Sequence, residues 1–204
     1  MSLNLRGGLL VAGIALTALL SSPVSATTMT FAGANPAGSG ASLLGGSYSE
    51  AGFTVKDPGP NGFAAWGTTN SYYAGAGIYG NTGNDTITLT KNDSAAFTIN
   101  SIDLSELYLR FGGCTVVFTG VKTDLTTVTD TFNVNSFGFK TFVFTPNFDN
   151  LTSVSWGQTS AYHQFSNIQL NGAAATPEPG SIAMLATGAM SGAGMLLRRR
   201  RARK

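Results

Sequence analysis

Residues 115–134 read TVVFTGVKTDLTTVTDTFNV, and this stretch gives the strongest indication of the fold. Thr, Val and Phe dominate it, and these residues favour β-strands. Two such runs, Thr115 to Thr119 and Leu125 to Val134, are separated by a connection that contains Gly120 and Asp124, which is typical of a hairpin. The stretch therefore predicts two antiparallel strands joined by a tight turn.

The same pattern recurs through the middle of the chain, and helical periodicity is missing between residues 27 and 176. The other predicted strands are short and about ten residues apart: Thr86 to Thr90, Phe97 to Ile99, Ile102 to Phe111, Phe139 to Thr145, Leu151 to Trp156 and Phe165 to Leu170. Eight or more short strands predict a mainly β domain over residues 27–170. The favoured architecture is a single antiparallel β-sandwich of jelly-roll type, and a partly open barrel is the alternative.

Residues 1–26 have the features of a secretory signal peptide. Arg6 precedes an apolar run from Gly7 to Leu20, and the small-residue pattern Val24-Ser25-Ala26 follows. These three features in this order are typical of a leader that is cleaved after Ala26. The sequence thus predicts export of the rest of the chain across the inner membrane.

The C-terminus has the features of a membrane stop. Residues 181–197 carry no charge, and at about 1.5 Å per residue a helix of this length spans about 26 Å, the short end of the range for a bilayer. A basic tail over residues 198–204 follows, made of Arg198, Arg199, Arg200, Arg201, Arg203 and Lys204. Because basic residues flanking a span stay on the cytoplasmic side, we expect a transmembrane helix with the β-domain outside.

The tripeptide Pro177-Glu178-Pro179, followed by this apolar span and an arginine cluster, resembles the PEP-CTERM sorting signal of Gram-negative bacteria. The resemblance covers residues 177–204 and includes the leader that such proteins require. It implies processing by an exosortase, a membrane transpeptidase, and delivery from a membrane-anchored precursor to the cell surface or extracellular matrix. Residues 171–176 form a small-residue linker that would separate the tripeptide from the domain.

Charge and cysteine content exclude two classes of protein. Between residues 27 and 176 there are five basic and nine acidic side chains, a net charge of −4, whereas the whole chain is at +2. A nucleic-acid-binding surface needs the opposite sign, so no nucleic-acid partner is expected. Cys114 is the only cysteine, which excludes an intramolecular disulfide and favours a small buried residue on a strand.

The segment from Asp57 to Asp85 holds seven glycines and five aromatic residues, a composition of loops and short edge strands. Tyr and Trp rings present a flat apolar face with a polar edge, which suits stacking on a sugar ring. The candidate stacking residues are Trp66, Tyr72, Tyr73 and Tyr79. The alternative is that these rings hold the loops against the end of the domain.

Residues suited to catalysis are few, and we predict no enzyme. The sequence has a single histidine, His163, and no Gly-x-Ser-x-Gly motif that would present a serine to it. His163 is therefore expected at an edge or in a loop. Asp103 and Glu106 lie three apart on a predicted strand, so alternation places them on opposite faces. No cofactor or metal site is predicted. Structural calcium is the alternative, at residues 81–85 or at Asn92-Asp93, stretches that fit turns equally well.

Together these features predict an exported, exosortase-processed, non-catalytic protein of the cell surface or matrix, tethered to the membrane by its C-terminal helix. Exopolysaccharide is the ligand class that the aromatic segment favours. A structural or adhesion protein with protein partners is the first alternative, and a glycan hydrolase is the second.

Overall fold

The protein is described by a computed structural model that covers residues 26–108, 112–158 and 162–171. These residues form strands, turns and loops and contain no helix. The first six strands are short: β1 (Thr27–Met29), β2 (Ala41–Gly45), β3 (Ser47–Glu50), β4 (Phe53–Lys56), β5 (Phe63–Trp66) and β6 (Tyr79–Gly80). The next seven are mostly longer: β7 (Asp85–Lys91), β8 (Ile99–Glu106), β9 (Cys114–Lys122), β10 (Thr127–Val134), β11 (Lys140–Val143), β12 (Leu151–Gln158) and β13 (His163–Leu170).

The strands form three antiparallel sheets. A six-stranded sheet has the order β10-β9-β12-β7-β4-β3, a four-stranded sheet has the order β1-β13-β8-β11, and a small sheet has the order β2-β5-β6. Inward side chains of all three sheets meet in one apolar core, as in a β-sandwich. The prediction of a mainly β, antiparallel domain is confirmed.

The core follows from the period of two along each strand. On β7, Ile87 and Leu89 are fully buried, while the alternating threonines at 86, 88 and 90 face outward. Phe165 on β13 packs against both of the other sheets. Its ring lies 5.2 Å from that of Trp156 on β12, in the six-stranded sheet, and 6.1 Å from that of Phe63 on β5, in the small sheet. Burying aromatic rings of this size supplies much of the stability of a small domain.

The hairpin predicted from residues 115–134 is present as β9 and β10, paired from Thr127↔Val121 to Val134↔Cys114. Its turn lies later than predicted, at Thr123–Thr126, because β9 continues through Gly120 to Lys122. A side chain at residue 120 would approach Leu151 and Val128, so the glycine there serves packing and not the turn.

Two further differences concern the strands that the sequence predicted. Residues 99–106 form one strand, β8, where a break near residue 100 was expected. Strands β1 to β4 were missed because they are only three to five residues long, too short to show a clear period of two. The leader, the linker beyond residue 171 and the sorting signal lie outside the described residues. In the part that is described, no helix has the length and apolarity needed to cross a bilayer.

Candidate functional site: an aromatic cluster at one end of the sandwich

Strand β5 divides the apolar interior into two parts. Its side chains alternate, so that Phe63 and Ala65 face the main core while Ala64 and Trp66 face a second, smaller cluster. Tyr79 on β6 is paired with Ala64 and joins this second cluster. The small sheet therefore places Trp66 and Tyr79 outside the main core, at one end of the domain.

Five rings meet there, and we call them the aromatic cluster: Trp66, Tyr72, Tyr79, Tyr108 and Tyr162. The Trp66 ring stacks on Tyr79 with centroids 5.2 Å apart and an interplanar angle of 28°. Tyr72 lies 5.4 Å from Trp66 and meets Tyr108 edge-on at 5.1 Å. Such pairs are each worth about 0.5–1.5 kcal/mol beyond burial, so the rings hold one another in place.

The four predicted stacking residues have different environments. Trp66 and Tyr72 are half-buried members of the cluster, whereas Tyr79 is only 4% exposed and lies beneath the indole. Tyr73 is half-buried, and among the described residues its ring contacts none of the other aromatic rings. The accessible surface of the cluster is thus provided by Trp66, Tyr72 and the two tyrosines from outside the predicted segment.

A narrow cleft of about 80 Å³ opens between the cluster and the loop after β6. It is lined by the rings of Tyr79, Tyr108 and Tyr162, by Leu107, and by residues 80–83. The ring of Tyr162 lies directly over Gly83, where a Cβ would come within 2.6 Å of its hydroxyl oxygen. The cleft is smaller than typical small-molecule pockets, so it can hold the edge of a ligand whose larger part lies on the surface.

The phenols of Tyr79 and Tyr108 remain protonated. Burial raises the pKa of the Tyr79 hydroxyl, and the nearby Tyr108 raises it further. Burial, together with Tyr162 and Tyr72, also raises the pKa of Tyr108. Neutral phenols both donate and accept hydrogen bonds, which is the chemistry that sugar hydroxyls require.

The loop that carries Tyr72 is held at several points. Asn35 Nδ2 donates to the carbonyl oxygens of Trp66 at 2.9 Å and Gly77 at 3.2 Å, and its Oδ1 accepts from the Gly77 amide at 3.1 Å. Gln164 Nε2, from buried β13, donates to the Tyr72 carbonyl at 2.9 Å. A surface held in this way loses little conformational freedom on binding.

A second, larger depression lies on the outer face of the six-stranded sheet. It has a volume of about 620 Å³ and is lined by hydroxyl, amide and ammonium groups, on Thr54, Lys56, Thr90, Lys91, Asn92, Ser94 and Thr152. The register places Thr54 beside Thr90, and Lys56 beside Thr88. Among the residues that line it there is no aromatic ring on which a sugar could stack.

The residues considered for catalysis have structural environments. The expectation that His163 lies at an edge or in a loop is wrong, since it begins the central strand β13 and is fully buried. Burial lowers the pKa of its imidazole to about 3, which keeps the ring neutral. Asp103 accepts hydrogen bonds from Thr141 at 2.6 Å and Asn167 at 2.7 Å, while Glu106 is buried on the same strand.

Comparison with known proteins does not identify a family for this chain. No protein-family model matches the chain, and no curated protein matches it. Among solved structures, a variant of CBM29-2, a family 29 carbohydrate-binding module, has a TM-score of 0.38 and 14% identity, covering 72% of this chain and 85% of that one. A second CBM29-2 variant, complexed with cellulohexaose, has a TM-score of 0.37 and 10% identity, covering 73% of this chain and 91% of that one.

Sequence reasoning missed two members of the cluster, Tyr108 and Tyr162. They are brought in by β8 and β13, which pair so that the Leu107 amide donates to the Tyr162 carbonyl at 2.9 Å. Each lies just beyond the end of its strand, where the alternation of the strand gives no information about its direction. Only the sheet topology shows that both tyrosines join the cluster that contains Trp66.

Proposed function

We propose that this chain is an exported, non-catalytic protein of the cell surface or extracellular matrix that binds exopolysaccharide through the aromatic cluster. The single observation that carries the proposal is the stack of Trp66 on Tyr79 with the half-exposed rings of Tyr72, Tyr108 and Tyr162 beside it. Apolar ring faces and phenol hydroxyls together match the apolar face and hydroxyl rim of a sugar. The loop contacts of Asn35 and Gln164 favour binding because they hold this surface in shape.

Export and processing belong to the same proposal. The leader that ends at Ala26, the tripeptide Pro177-Glu178-Pro179 and the basic tail support an exosortase substrate that is first anchored in the inner membrane of a Gram-negative bacterium. A protein held at the surface in this way meets the polymer that the cell exports.

The binding proposal is tested by affinity electrophoresis or polysaccharide pull-down with the full-length chain in a mild detergent. We expect the double variant Trp66→Ala, Tyr72→Ala to bind at least about tenfold more weakly, because central aromatic residues dominate such interfaces. The matched control is Lys56→Ala, Thr90→Ala in the outer depression, which should bind like the wild type. Near-ultraviolet circular dichroism checks that all three proteins are folded.

Three outcomes would count against the proposal. Equal retention of the wild type and the double Trp66, Tyr72 variant would remove it as the binding surface. Loss of binding in the Lys56, Thr90 variant alone would move the polymer to the outer face of the six-stranded sheet. If the wild type retained no polysaccharide but captured matrix protein from its own host, the structural alternative would replace the proposal.

A further inference from the structure

Three buried oxygen atoms at the start of β7 have no hydrogen-bond partner among the described residues: Oδ2 of Asp57, Oδ2 of Asp85 and Oε1 of Gln158. All three are acceptors, and the side chains of Asp57 and Gln158 are 2% and 0% exposed. Leaving one such group unpaired costs roughly 1–3 kcal/mol, and more when it is charged. Three of them in one region need a partner that carries positive charge or donates protons.

The three side chains share one space at the end of the sandwich. Asp85 and Gln158 are directly opposite in the β7–β12 ladder, and both point inward because each lies two residues from a member of the buried pair Ile87 and Trp156. Gln158 Nε2 donates to the His163 carbonyl at 3.0 Å, so its Oε1 is the atom left without a partner. Directly opposite side chains in an antiparallel pair are within contact distance.

Asp57 reaches the same space from the loop after β4. Its Oδ1 accepts from the Gly59 amide at 2.9 Å, which orients Oδ2 toward β6. A Cβ on Gly59 would overlap the Asp85 carboxylate and lie 3.0 Å from Asp57 Oδ1, and a Cβ on Gly80 would lie 2.9 Å from Asp57 Oδ2. The two glycines therefore leave room for two carboxylates side by side.

Among the described residues, no lysine or arginine forms an ion pair with the carboxylate of Asp57 or Asp85. The ion pairs there are Lys91 with Asp93 and Lys122 with Asp149, neither of which involves Asp57 or Asp85. The like charge of Asp85 acts, after burial, to raise the pKa of the Asp57 carboxyl. Zinc is not suited to the site, because no three His, Cys, Asp or Glu side chains come together in the described residues.

We propose that Asp57, Asp85 and Gln158 bind one calcium ion. Calcium prefers oxygen ligands from carboxylates, amide carbonyls and water, and it tolerates irregular geometry, unlike magnesium. Two carboxylates balance its charge, and the amide oxygen of Gln158 is a neutral third ligand. Because Asp85 directly follows residues 81–84, the ion would also fix the loop that lines the aromatic cleft. This proposal does not depend on glycan binding.

The test is calcium titration of the full-length chain, purified with chelator, by isothermal calorimetry and by thermal unfolding. We expect one ion per chain and a Tm increase of about 5–10 °C at a calcium concentration of roughly 100 times Kd. Equal concentrations of magnesium should give a much smaller increase. Asp57→Asn and Asp85→Asn should each abolish both signals.

Control variants separate a binding site from a general loss of stability. In calcium-free buffer, Asp57→Asn should be at least as stable as the wild type, because it removes the repulsion between the two carboxylates. Asp93→Asn, at the other stretch that the sequence offered for calcium, should keep the full calcium response, since Asp93 is paired with Lys91. Absence of calcium binding by the wild type, or equal loss of the response in Asp93→Asn and Asp57→Asn, would overturn the proposal.

Discussion

His163 illustrates how burial decides the chemistry of a single residue. Its imidazole is fully buried on β13, neither ring nitrogen has a hydrogen-bond partner among the described residues, and its pKa is lowered to about 3. The ring therefore remains neutral in the folded domain at any pH at which the domain would work. In the unfolded chain it gains a proton near pH 6.5.

This difference predicts a loss of stability in acid. The favourable contribution of neutral His163 is fully present above about pH 6.5 and is lost as the pH falls from there toward 3, because only the unfolded state takes up the proton. The free energy of unfolding of the wild type should fall by up to about 1.4 kcal/mol per pH unit relative to His163→Gln. Urea unfolding at pH 7.5, 5.5 and 4.5 measures this, and parallel pH profiles of the two proteins would disprove it.

At the scale of elements, turns determine how the short strands pair. β3 and β4 are joined by Ala51 and Gly52, whose φ angles are 54° and 83°, and the strands are paired from Glu50↔Phe53 onward. Two residues with positive φ are typical of a type I′ hairpin, for which Asn-Gly is the favoured sequence. The left-handed backbone conformation of Ala51 brings its Cβ close to the following carbonyl oxygen, so forming this turn costs conformational free energy.

Replacing Ala51 should therefore stabilise the domain. We expect Ala51→Asn to raise the free energy of unfolding by about 0.5–1 kcal/mol, since Asn tolerates left-handed backbone better than Ala. The control is Ala96→Asn, at an exposed loop position that is not among the residues with positive φ. Guanidinium unfolding compares the two variants with the wild type. A similar change at both positions would mean that backbone conformation is not the cause.

At the scale of the whole molecule, the proposed function gives different roles to the β-domain, which would bind the polymer, and to the C-terminal tail, which would direct sorting. The β-domain is acidic and presents rings at one end, whereas the basic residues of the C-terminus make up half of the Lys and Arg in the chain. A charge asymmetry of this kind suits a precursor whose tail stays at the cytoplasmic face while the domain is outside.

Processing of the tail can be read from the mass of the protein recovered from its host. We expect the surface or matrix form to begin at Thr27 and to lack the residues that follow the Pro-Glu-Pro tripeptide, because the exosortase would cut there. A variant with Ala at residues 177–179 should keep its tail and accumulate in the inner membrane. The control, Ala174→Gly in the linker, should be processed normally. An intact C-terminus on the mature wild-type protein would contradict the proposal.

Much of the fold could be predicted from residues 86–170, because strands with Thr, Val, Ile and Phe in alternation bury one face whatever their partners are. The short strands before residue 81 could not, since segments of two to five residues show no clear periodicity and pair only when longer strands present an edge. The position predicted for His163 was wrong for a related reason. A polar residue between polar neighbours resembles a loop, and its burial depends on β8 lying beside it.

The sequence by itself determined the class of the domain, its acidic character and the aromatic segment, since these depend on composition and local order, and it predicts the export and sorting signals at both ends. The tertiary structure alone decided that Tyr108 and Tyr162 join Trp66, that Tyr79 supports the indole, and that Asp57 meets Asp85 and Gln158. The physical reason is that contacts between residues far apart in the chain depend on strand order and register, which no local pattern specifies.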